Sequence, residues 1–442
     1  MMNPRGRGKV SAAGGFLKVV LIWTLGLLGA ASAAGAELAE LDTTARAILG
    51  ADQGVYVETT DGTVLLARAA DRPVHPASVS KIPTTLALLR KLGPEHRFVT
   101  TFAGSGRILD GTLYGDLSVQ SEGDPSLVDE DALLVAERLK QSGIQRIAGN
   151  LLTRGTLTFD WRSDDDGALL RRALSGLTPP AAWVVVRELE DAGTPAASDP
   201  TIPATPGARQ PGIRFAAAAA WPANGVAGAR GVELLQKQPL VIYRSQPLLP
   251  LVKSLNDYSN NIFKPFADAA GGAAAVEALA RSVLPPEMSS EVTLGDGAGT
   301  DPSNRLSPRA TVKLMRALEK ELATGQHALY DILPVAGIDD GTLHDRLNGP
   351  GEAGHVVGKT GTFGDYGASA LAGAIPTTDR GTVYFAILNH NVPVPQARLR
   401  QDRFVRALLA HLHSVPWKYV RDPRPAVARA QVSRVLETSG AR

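Results

Sequence analysis

The first clear pattern of apolar and polar positions is that of a helix followed by a β-hairpin. The helix is predicted from Leu38, and the apolar run Gly54–Thr59 predicts a strand. Asp61-Gly62 separates this run from a second one, and Asp-Gly between two apolar runs is a common hairpin turn. From Ile82 to Leu92, apolar residues lie on nearly every side of a helical repeat, which predicts a helix buried in a core.

The pattern changes in the middle of the chain. Arg107–Leu117 contains two possible short strands, and Asp131–Ser142 has the apolar stripe of an amphipathic helix. The stretch from Gly193 to Ala229 is rich in Ala, Pro and Gly, which favours irregular loops with short strands. We therefore expect an inserted β-rich region over residues 106–247.

After this insertion the patterns of a helix–sheet domain return. The predicted helices are Pro250–Phe266, Ala273–Leu284, Pro308–Leu322 and Gln401–His413, and the predicted strands of one sheet are Val356–Thr360, Ala368–Ala374 and Val383–Asn389. The fold class is thus α/β (α+β), with one helix–sheet domain formed by residues 37–105 and 248–415. The Pro- and Arg-rich end, residues 416–442, is expected to be a flexible basic tail.

Composition excludes several classes of function. The 442 residues include 46 Lys+Arg and 44 Asp+Glu, and a net charge of +2 gives no electrostatic footprint for nucleic acid. The chain has no cysteine, which excludes disulfides, thiol nucleophiles and cysteine-ligated metals. The histidines form no HExxH-type pair, so we expect neither a metal nor another cofactor.

The N-terminal segment has the pattern of an export signal. A basic stretch (residues 5–18) precedes an apolar run (19–28), and small residues follow, with cleavage expected near Ala33 or Ala36. The alternative is an uncleaved anchor with peripheral membrane contact. In either case residues beyond the predicted signal peptide (1–36) are expected to lie outside the cytoplasm.

The first candidate motif for chemistry is Ser78-Val79-Ser80-Lys81. Residues three apart lie on one face of a helix, so the Lys81 amine can reach the Ser78 hydroxyl. A serine becomes a strong nucleophile when an adjacent base takes its proton, and a buried lysine with a lowered pKa can be that base. The alternative is an ordinary helix cap at Ser78 with a solvated Lys81.

The second candidate motif is Ser259-Asn260-Asn261. The Ser259 hydroxyl could relay a proton between Lys81 and a leaving group, and the Asn261 amide could hold the substrate carbonyl. A second copy of the pattern, Ser254-Leu255-Asn256, lies nearby.

The third candidate motif is Lys359-Thr360-Gly361-Thr362, on a predicted edge strand. It would offer a cation and hydroxyls to a substrate carboxylate, while Gly361 would let an extended peptide approach and pair with the strand. The backbone N–H groups of Ser78 and Thr362 would form an oxyanion hole. The alternative is a polar edge strand that resists aggregation.

These motifs, in this order, resemble those of the low-molecular-mass class C penicillin-binding proteins, which are D-Ala-D-Ala carboxypeptidases and endopeptidases. The resemblance runs from about Gly54 to Leu409, and Asn256 favours Ser259 because Asn-x-x-Ser-x-Asn marks the second motif in the family. Further similar strings are Pro76-Ala77-Ser78, Gly115-Asp116-Leu117, Gly123-Asp124-Pro125-Ser126-Leu127, Ile147-Ala148-Gly149, Asp296-Gly297, Arg305-Leu306-Ser307-Pro308, Leu333-Pro334-Val335-Ala336-Gly337, Gly341-Thr342-Leu343 and Ala370-Leu371-Ala372-Gly373.

The resemblance implies a penicillin-binding protein transpeptidase-like domain that is interrupted by an insertion. It also implies a periplasmic serine-type carboxypeptidase for peptidoglycan stem peptides, acylated by its substrates and by β-lactams on Ser78. The oligomeric state stays open.

The chain departs from the family pattern at several positions. Asn260 stands where the family usually has Asp, and Arg154 and Pro302 stand in the family's pocket for the cross-linking diamino acid. The choice between carboxypeptidase and endopeptidase is therefore open. Tyr258 begins a Tyr-x-Asn triplet typical of β-lactamases and esterases, which is an alternative, as is a non-catalytic wall-binding protein.

Overall fold

The computed structural model describes residues 38–191, 212–216, 234–258, 263–364, 367–422 and 435–438. The predicted signal peptide and most of the Ala-, Pro- and Gly-rich stretch fall outside these residues. The described helices are α1 (38–49), α2 (Lys81–Leu92), α3 (Asp129–Gln141), α4 (Ala168–Leu174), α5 (Pro180–Asp191), α6 (Leu248–Tyr258), α7 (Lys264–Ala270), α8 (Ala273–Val283), α9 (Pro308–Thr324) and α10 (Val394–His411).

Short strands and hairpins make up the rest of the regular structure. The described strands are β1 (Gly54–Thr59), β2 (Val64–Arg68), β3 (Val99–Leu109), β4 (Thr112–Tyr114), β5 (Leu117–Ser121), β6 (Arg146–Ala148), β7 (Leu151–Arg154), β8 (Thr158–Phe159), β9 (Arg162–Ser163), β10 (Arg214–Ala216), β11 (Leu234–Arg244), β12 (Val292–Thr293), β13 (Arg305–Leu306), β14 (Val357–Phe363), β15 (Ala368–Pro376), β16 (Thr382–Asn389) and β17 (Val435–Thr438).

A five-stranded antiparallel sheet lies at the centre of the helix–sheet domain, in the order β14-β15-β16-β1-β2. Its strands come from both ends of the domain, since β1 pairs with β16 from Gly54 opposite Leu388. The predicted hairpin and the three later strands are confirmed. This pairing brings the N-terminal motif and the C-terminal motif of the chain into one domain.

Both faces of this sheet are apolar and covered by helices. Ala370 and Ala372 of β15 face a core shared with α2, α6 and α9, whereas Leu371 and Ile375 face a core shared with α1 and α10. Because side chains alternate across a strand, continuous apolar runs such as that of β15 are buried on both sides. The predicted α/β (α+β) fold is therefore confirmed as a three-layer domain.

A second sheet has the strand order β10-β6-β4-β3-β11-β17, with β5 beside β3 and β7 beside β5. Its core is shared with α3 and α4. β3 starts at Val99, so this strand runs across the boundary expected between residues 105 and 106.

Two predicted helices need correction. The predicted helix Pro250–Phe266 consists of α6 and α7, with residues 259–262 between them outside the described part. α10 begins at Val394 and not at Gln401, because Pro395 in its first turn needs no partner for its missing N–H.

The predicted flexible tail is partly structured. Val435–Thr438 forms β17 on the edge of the second sheet. Tyr419 donates a hydrogen bond from its hydroxyl to Asp339 Oδ1 at 2.7 Å, which ties the start of the tail to the helix–sheet domain. Among the described helices, none has both the length and the apolar character needed to cross a bilayer.

Candidate active site

Ser78 lies in a tight turn directly before the buried helix α2. Residues Ala77–Ser80 form a single 3-10 turn, here called the Ser78 turn, and it continues into α2. Ala77 has φ of +48°, which is unfavourable for a residue with a Cβ atom. Ser78 is only 6% exposed and Ser80, not Ser78, occupies the cap position of α2. The alternative of an ordinary helix cap at Ser78 therefore does not describe this turn.

Lys81 is in contact with Ser78. Its Nζ lies 2.9 Å from Ser78 Oγ, and the side chain has no exposed surface. Burial lowers the pKa of Lys81 to about 7, against the opposing charge of Asp296. The ring of Phe263 forms part of the apolar surroundings, with its centroid 5.5 Å from Nζ. A lysine that is substantially neutral at pH 7 can accept the proton of a hydroxyl.

Lys359 is buried beside Lys81 on the edge strand β14. It has no exposed surface, and its Nζ donates to the Thr360 carbonyl at 3.1 Å. Burial, and then the charge of Lys81, hold the pKa of Lys359 well below its usual range, while the charge of Asp257 opposes this shift. The alternative of a solvated polar edge does not fit a fully buried lysine.

The Thr360 hydroxyl also forms a hydrogen bond within the protein. It is 4% exposed and donates to the hydroxyl of Thr342 at 2.7 Å. Thr342 in turn donates its backbone N–H to the carbonyl oxygen of Asp257 at 2.8 Å. The loop at Thr342 therefore connects β14 to the end of α6.

Gly361 lies against the Ser78 turn. A Cβ atom there would lie 2.6 Å from the Pro76 carbonyl oxygen and 3.1 Å from the Ser78 nitrogen. The sequence predicted that Gly361 leaves space for a substrate backbone. In the structure, the Ser78 turn of the same chain occupies space beside Gly361. Only glycine allows this separation, because any side chain would push β14 away from Ser78.

Thr362, in contrast, is exposed at the end of the motif. Its hydroxyl accepts a hydrogen bond from Arg398 Nη2 at 2.9 Å, and Arg398 comes from α10. Sequence reasoning missed Arg398 because no motif surrounds it and its partner is distant in the chain.

Asp296 anchors the loop that closes the site beside the Ser78 turn. Its carboxylate accepts backbone N–H groups from four residues, Ala298, Gly299, Thr300 and Asp301, at 2.8–3.1 Å. These bonds and those from Thr300 and Asn304 side chains outweigh burial and lower the pKa of Asp296 to about 2. The loop Asp296–Asn304 therefore holds a fixed negative charge near Lys81.

Ser259, Asn260 and Asn261 lie outside the described residues. Their two flanks nevertheless reach the site, since Phe263 contacts Lys81 and the charge of Asp257 acts on Lys359. The second Ser-x-Asn sequence, Ser254-Leu255-Asn256, lies within α6. Its Ser254 Oγ donates to the carbonyl oxygen of Pro250 in the same helix at 2.9 Å.

A buried ion network supports the end of α6. Lys253 Nζ lies 2.5 Å from Asp339 Oδ2 and 3.7 Å from Asp257 Oδ1, and it donates to the Leu333 carbonyl at 2.6 Å. Asn256 is also buried and donates to the Ile332 carbonyl at 2.9 Å. These bonds fix the segment that leads into the second motif.

Arg154 and Pro302 are far apart in the chain, on β7 and in the loop Asp296–Asn304. Arg154 is exposed, and Pro302 accepts a hydrogen bond at its carbonyl from Arg305 at 2.7 Å. At the Ser78 turn, a serine hydroxyl, a buried amine and an edge strand lie together, which is an arrangement suited to acyl transfer.

Comparison with known proteins covers most of the chain. The sequence model of the D-Ala-D-Ala carboxypeptidase 3 (S13) family matches residues 35–198 and 218–410. A D-alanyl-D-alanine carboxypeptidase of Actinomadura sp. (strain R39) is 27% identical over 500 residues, covering 90% of this chain and 91% of that protein.

Two solved structures show a similar fold. One is the penicillin G acylated Bd3459 predatory endopeptidase of Bdellovibrio bacteriovorus, in complex with immunity protein Bd3460. It has a TM-score of 0.67 and 20% identity over 84% of this chain and 95% of that one. The other is penicillin-binding protein 4 (dacB) of Haemophilus influenzae in complex with a β-lactam. Its TM-score is 0.56, with 19% identity over 86% of this chain and 99% of that one.

Proposed function

We propose a function that starts from family membership: this chain belongs to the D-Ala-D-Ala carboxypeptidase 3 (S13) family. It is a serine-type D-alanyl-D-alanine carboxypeptidase that acts on peptidoglycan stem peptides through an acyl-enzyme on Ser78. The observation that carries this assignment is the 2.9 Å contact between Lys81 Nζ and Ser78 Oγ in a buried site. β-Lactams acylate the same serine, as penicillin G acylates Bd3459.

Acylation begins with proton transfer from Ser78 to Lys81. The neutral amine of Lys81 takes the hydroxyl proton as Ser78 Oγ attacks the carbonyl carbon of the penultimate D-alanine. The backbone N–H groups of Ser78 and Thr362 stabilise the negative charge that develops on the carbonyl oxygen. Because the pKa of Lys81 is about 7, acylation rises as the pH increases through 7 and the amine loses its proton.

The acyl-enzyme forms when the carbon–nitrogen bond breaks. The terminal D-alanine leaves as an amine after it takes the proton from Lys81, with Ser259 as the relay and Asn261 holding the carbonyl of the substrate. Water then attacks the carbonyl carbon of the ester while Lys81 takes its proton. The bond between that carbon and Ser78 Oγ breaks, Lys81 returns the proton to Ser78, and the shortened peptide leaves with a new terminal carboxyl group.

The terminal carboxylate of the substrate lies at the exposed end of β14. Lys359, Thr360 and Gly361 form the wall of this subsite, but Lys359 is fully buried and its pKa is lowered. Arg398 keeps its charge at any physiological pH and already bonds to Thr362. We therefore assign the carboxylate contact to Thr362 and Arg398.

The location of the substrate indicates where the enzyme acts. Peptidoglycan lies outside the cytoplasmic membrane, so the enzyme is exported, and we assign it to the periplasm on the pattern of residues 1–36.

A fluorescent penicillin tests the assignment. We expect stable labelling of the full chain at Ser78, D-alanine release from pentapeptide stems, and loss of both in Ser78→Ala. Ser80→Ala is the matched control. Among the described residues, Ser80 Oγ bonds to the Ala77 carbonyl within the same turn, and this variant should keep most of its activity.

Other outcomes would point elsewhere. Rapid release of the label would indicate a β-lactamase, and absence of labelling would indicate a non-catalytic wall-binding protein. Equal losses in the Ser78 and Ser80 variants would contradict Ser78 as the nucleophile.

A further inference from the structure

His75 contacts three parts of the site at once. It precedes the Ser78 turn and is 8% exposed. Its Nδ1 accepts a hydrogen bond from the Ala77 backbone N–H at 3.2 Å, and its Nε2 lies 3.0 Å from the Asp301 carbonyl oxygen. Its ring stacks on Phe363 at the end of β14, with centroids 4.4 Å apart and planes at 14°.

These partners determine the protonation state of the ring. The Ala77 N–H can only donate and the Asp301 carbonyl can only accept, so Nδ1 carries the lone pair and Nε2 carries the hydrogen. This is the neutral imidazole. A proton added at Nδ1 would face the Ala77 N–H, and the bond would be lost.

The Ala77 bond matters because Ala77 holds the Ser78 turn in an unfavourable conformation. Its positive φ persists only where surrounding contacts enforce it. His75 supplies the bond to the Ala77 N–H and connects it to β14 and to the loop Asp296–Asn304.

We propose that His75 is a positioning residue, whose neutral ring fixes the Ser78 turn against β14 so that acylation requires His75, as well as Lys81, to be unprotonated. The inference rests on the proposed acyl-transfer function and deepens it. No motif of the sequence contains His75 in this role.

The charges around His75 set the pH at which it would act. Burial is the main cause that lowers the pKa of His75 below 6.5; Arg305 adds to this, and the bond to Asp301 and the charges of Asp296 and Asp301 oppose it. Phe363 and Ala77 add no charge. As the pH falls, Lys81 therefore gains its proton first, near 7, and His75 gains one in more acidic solution.

The pH profile of acylation by a fluorescent penicillin tests this order. In the full wild-type chain, the logarithm of the second-order rate constant should fall with a slope of about one below pH 7 and steepen towards about two in more acidic solution. His75→Asn retains an oxygen that can accept from Ala77 and cannot titrate, so its slope should stay at about one.

Two further variants complete the design. His75→Phe keeps a ring against Phe363 but leaves the Ala77 N–H without its acceptor, and its rate should fall about tenfold at every pH.

His96→Asn is the matched control, because His96 also has a pKa lowered by burial and lies against a ring, that of Phe98, with centroids 4.8 Å apart. It should keep the steep wild-type profile.

Thermal unfolding at each pH separates positioning from folding. A slope of about two in acidic solution for the His75→Asn variant would overturn the proposal. The second protonation that slows acylation would then belong to another group, or the slope would reflect acid unfolding. A wild-type slope of about one throughout, or a wild-type rate in folded His75→Phe, would overturn it too. Absence of wild-type acylation at any pH would refute the peptidase function itself, and this inference with it.

Discussion

At the scale of single residues, burial gives the site its chemistry. A lysine in water has a pKa of 10.5 and is a poor base at neutral pH, whereas burial lowers that of Lys81 to about 7. The same cause acts on Lys359, whose charge is further disfavoured by Lys81. Arg398, whose guanidinium contacts Thr362, adds a cation that stays charged at any physiological pH.

We predict that Arg398→Gln weakens recognition of a free C-terminal carboxylate. The second-order rate constant for a peptide ending in D-Ala-D-Ala should fall about tenfold, because a charge-assisted bond is lost. The rate for the same peptide with an amidated C-terminus should change little. Steady-state release of D-alanine, or of its amide, measures both.

Arg400→Gln is the control for that prediction. Arg400 lies on the same helix, and its Nη1 lies 3.5 Å from the Leu49 carbonyl oxygen in α1. If Arg398→Gln lowers the second-order rate constant equally for the two peptides, the arginine supports the fold of the site and does not recognise the carboxylate.

At the scale of elements, the site depends on how closely β14 approaches the Ser78 turn. The strand is the edge of its sheet, and Gly361 removes the side chain at the point of nearest approach. The oxyanion hole proposed from Ser78 and Thr362 requires this spacing, because both N–H groups must reach one oxygen.

We predict that Gly361→Ala lowers the acylation rate constant about tenfold or more, since the new methyl group would displace β14 from Pro76 and Ser78. Gly364→Ala is the matched control, because no neighbouring atom of the described residues lies within 4 Å of a Cβ atom built there. Stopped-flow acylation by penicillin compares the two. Similar rates in both variants would mean that the turn and the strand can separate without loss of activity.

At the scale of the whole molecule, each sheet is assembled from distant parts of the chain. β1 and β2 join β14, β15 and β16 in the central sheet, and β11 pairs with both β3 and β17 in the second sheet. The second sheet has its own core, which includes Phe102 and Val241, so its stability is separable from that of the site.

We predict that removal of residues 435–442 leaves acylation unchanged but loosens the second sheet. β11 would become an edge strand with unpaired backbone groups along Val241–Arg244, which now face β17. Hydrogen exchange should accelerate in β11 and stay slow in β16, and the unfolding midpoint should fall by a few degrees. A fall in the acylation rate would instead show that the second sheet supports the active site.

The sequence by itself determined the local parts of this protein. The spacing of Ser78 and Lys81 and the strands of the central sheet follow from periodicity and motif order, because neighbours along a helix or strand are fixed by backbone geometry. The family followed from the order of those motifs.

Only the tertiary structure decided which distant groups meet at Ser78. His75 on Phe363, Arg398 on Thr362 and Asp296 near Lys81 join segments that no short-range pattern connects. Their protonation depends on burial and on neighbouring charges, and both are properties of the packed molecule, not of residue type.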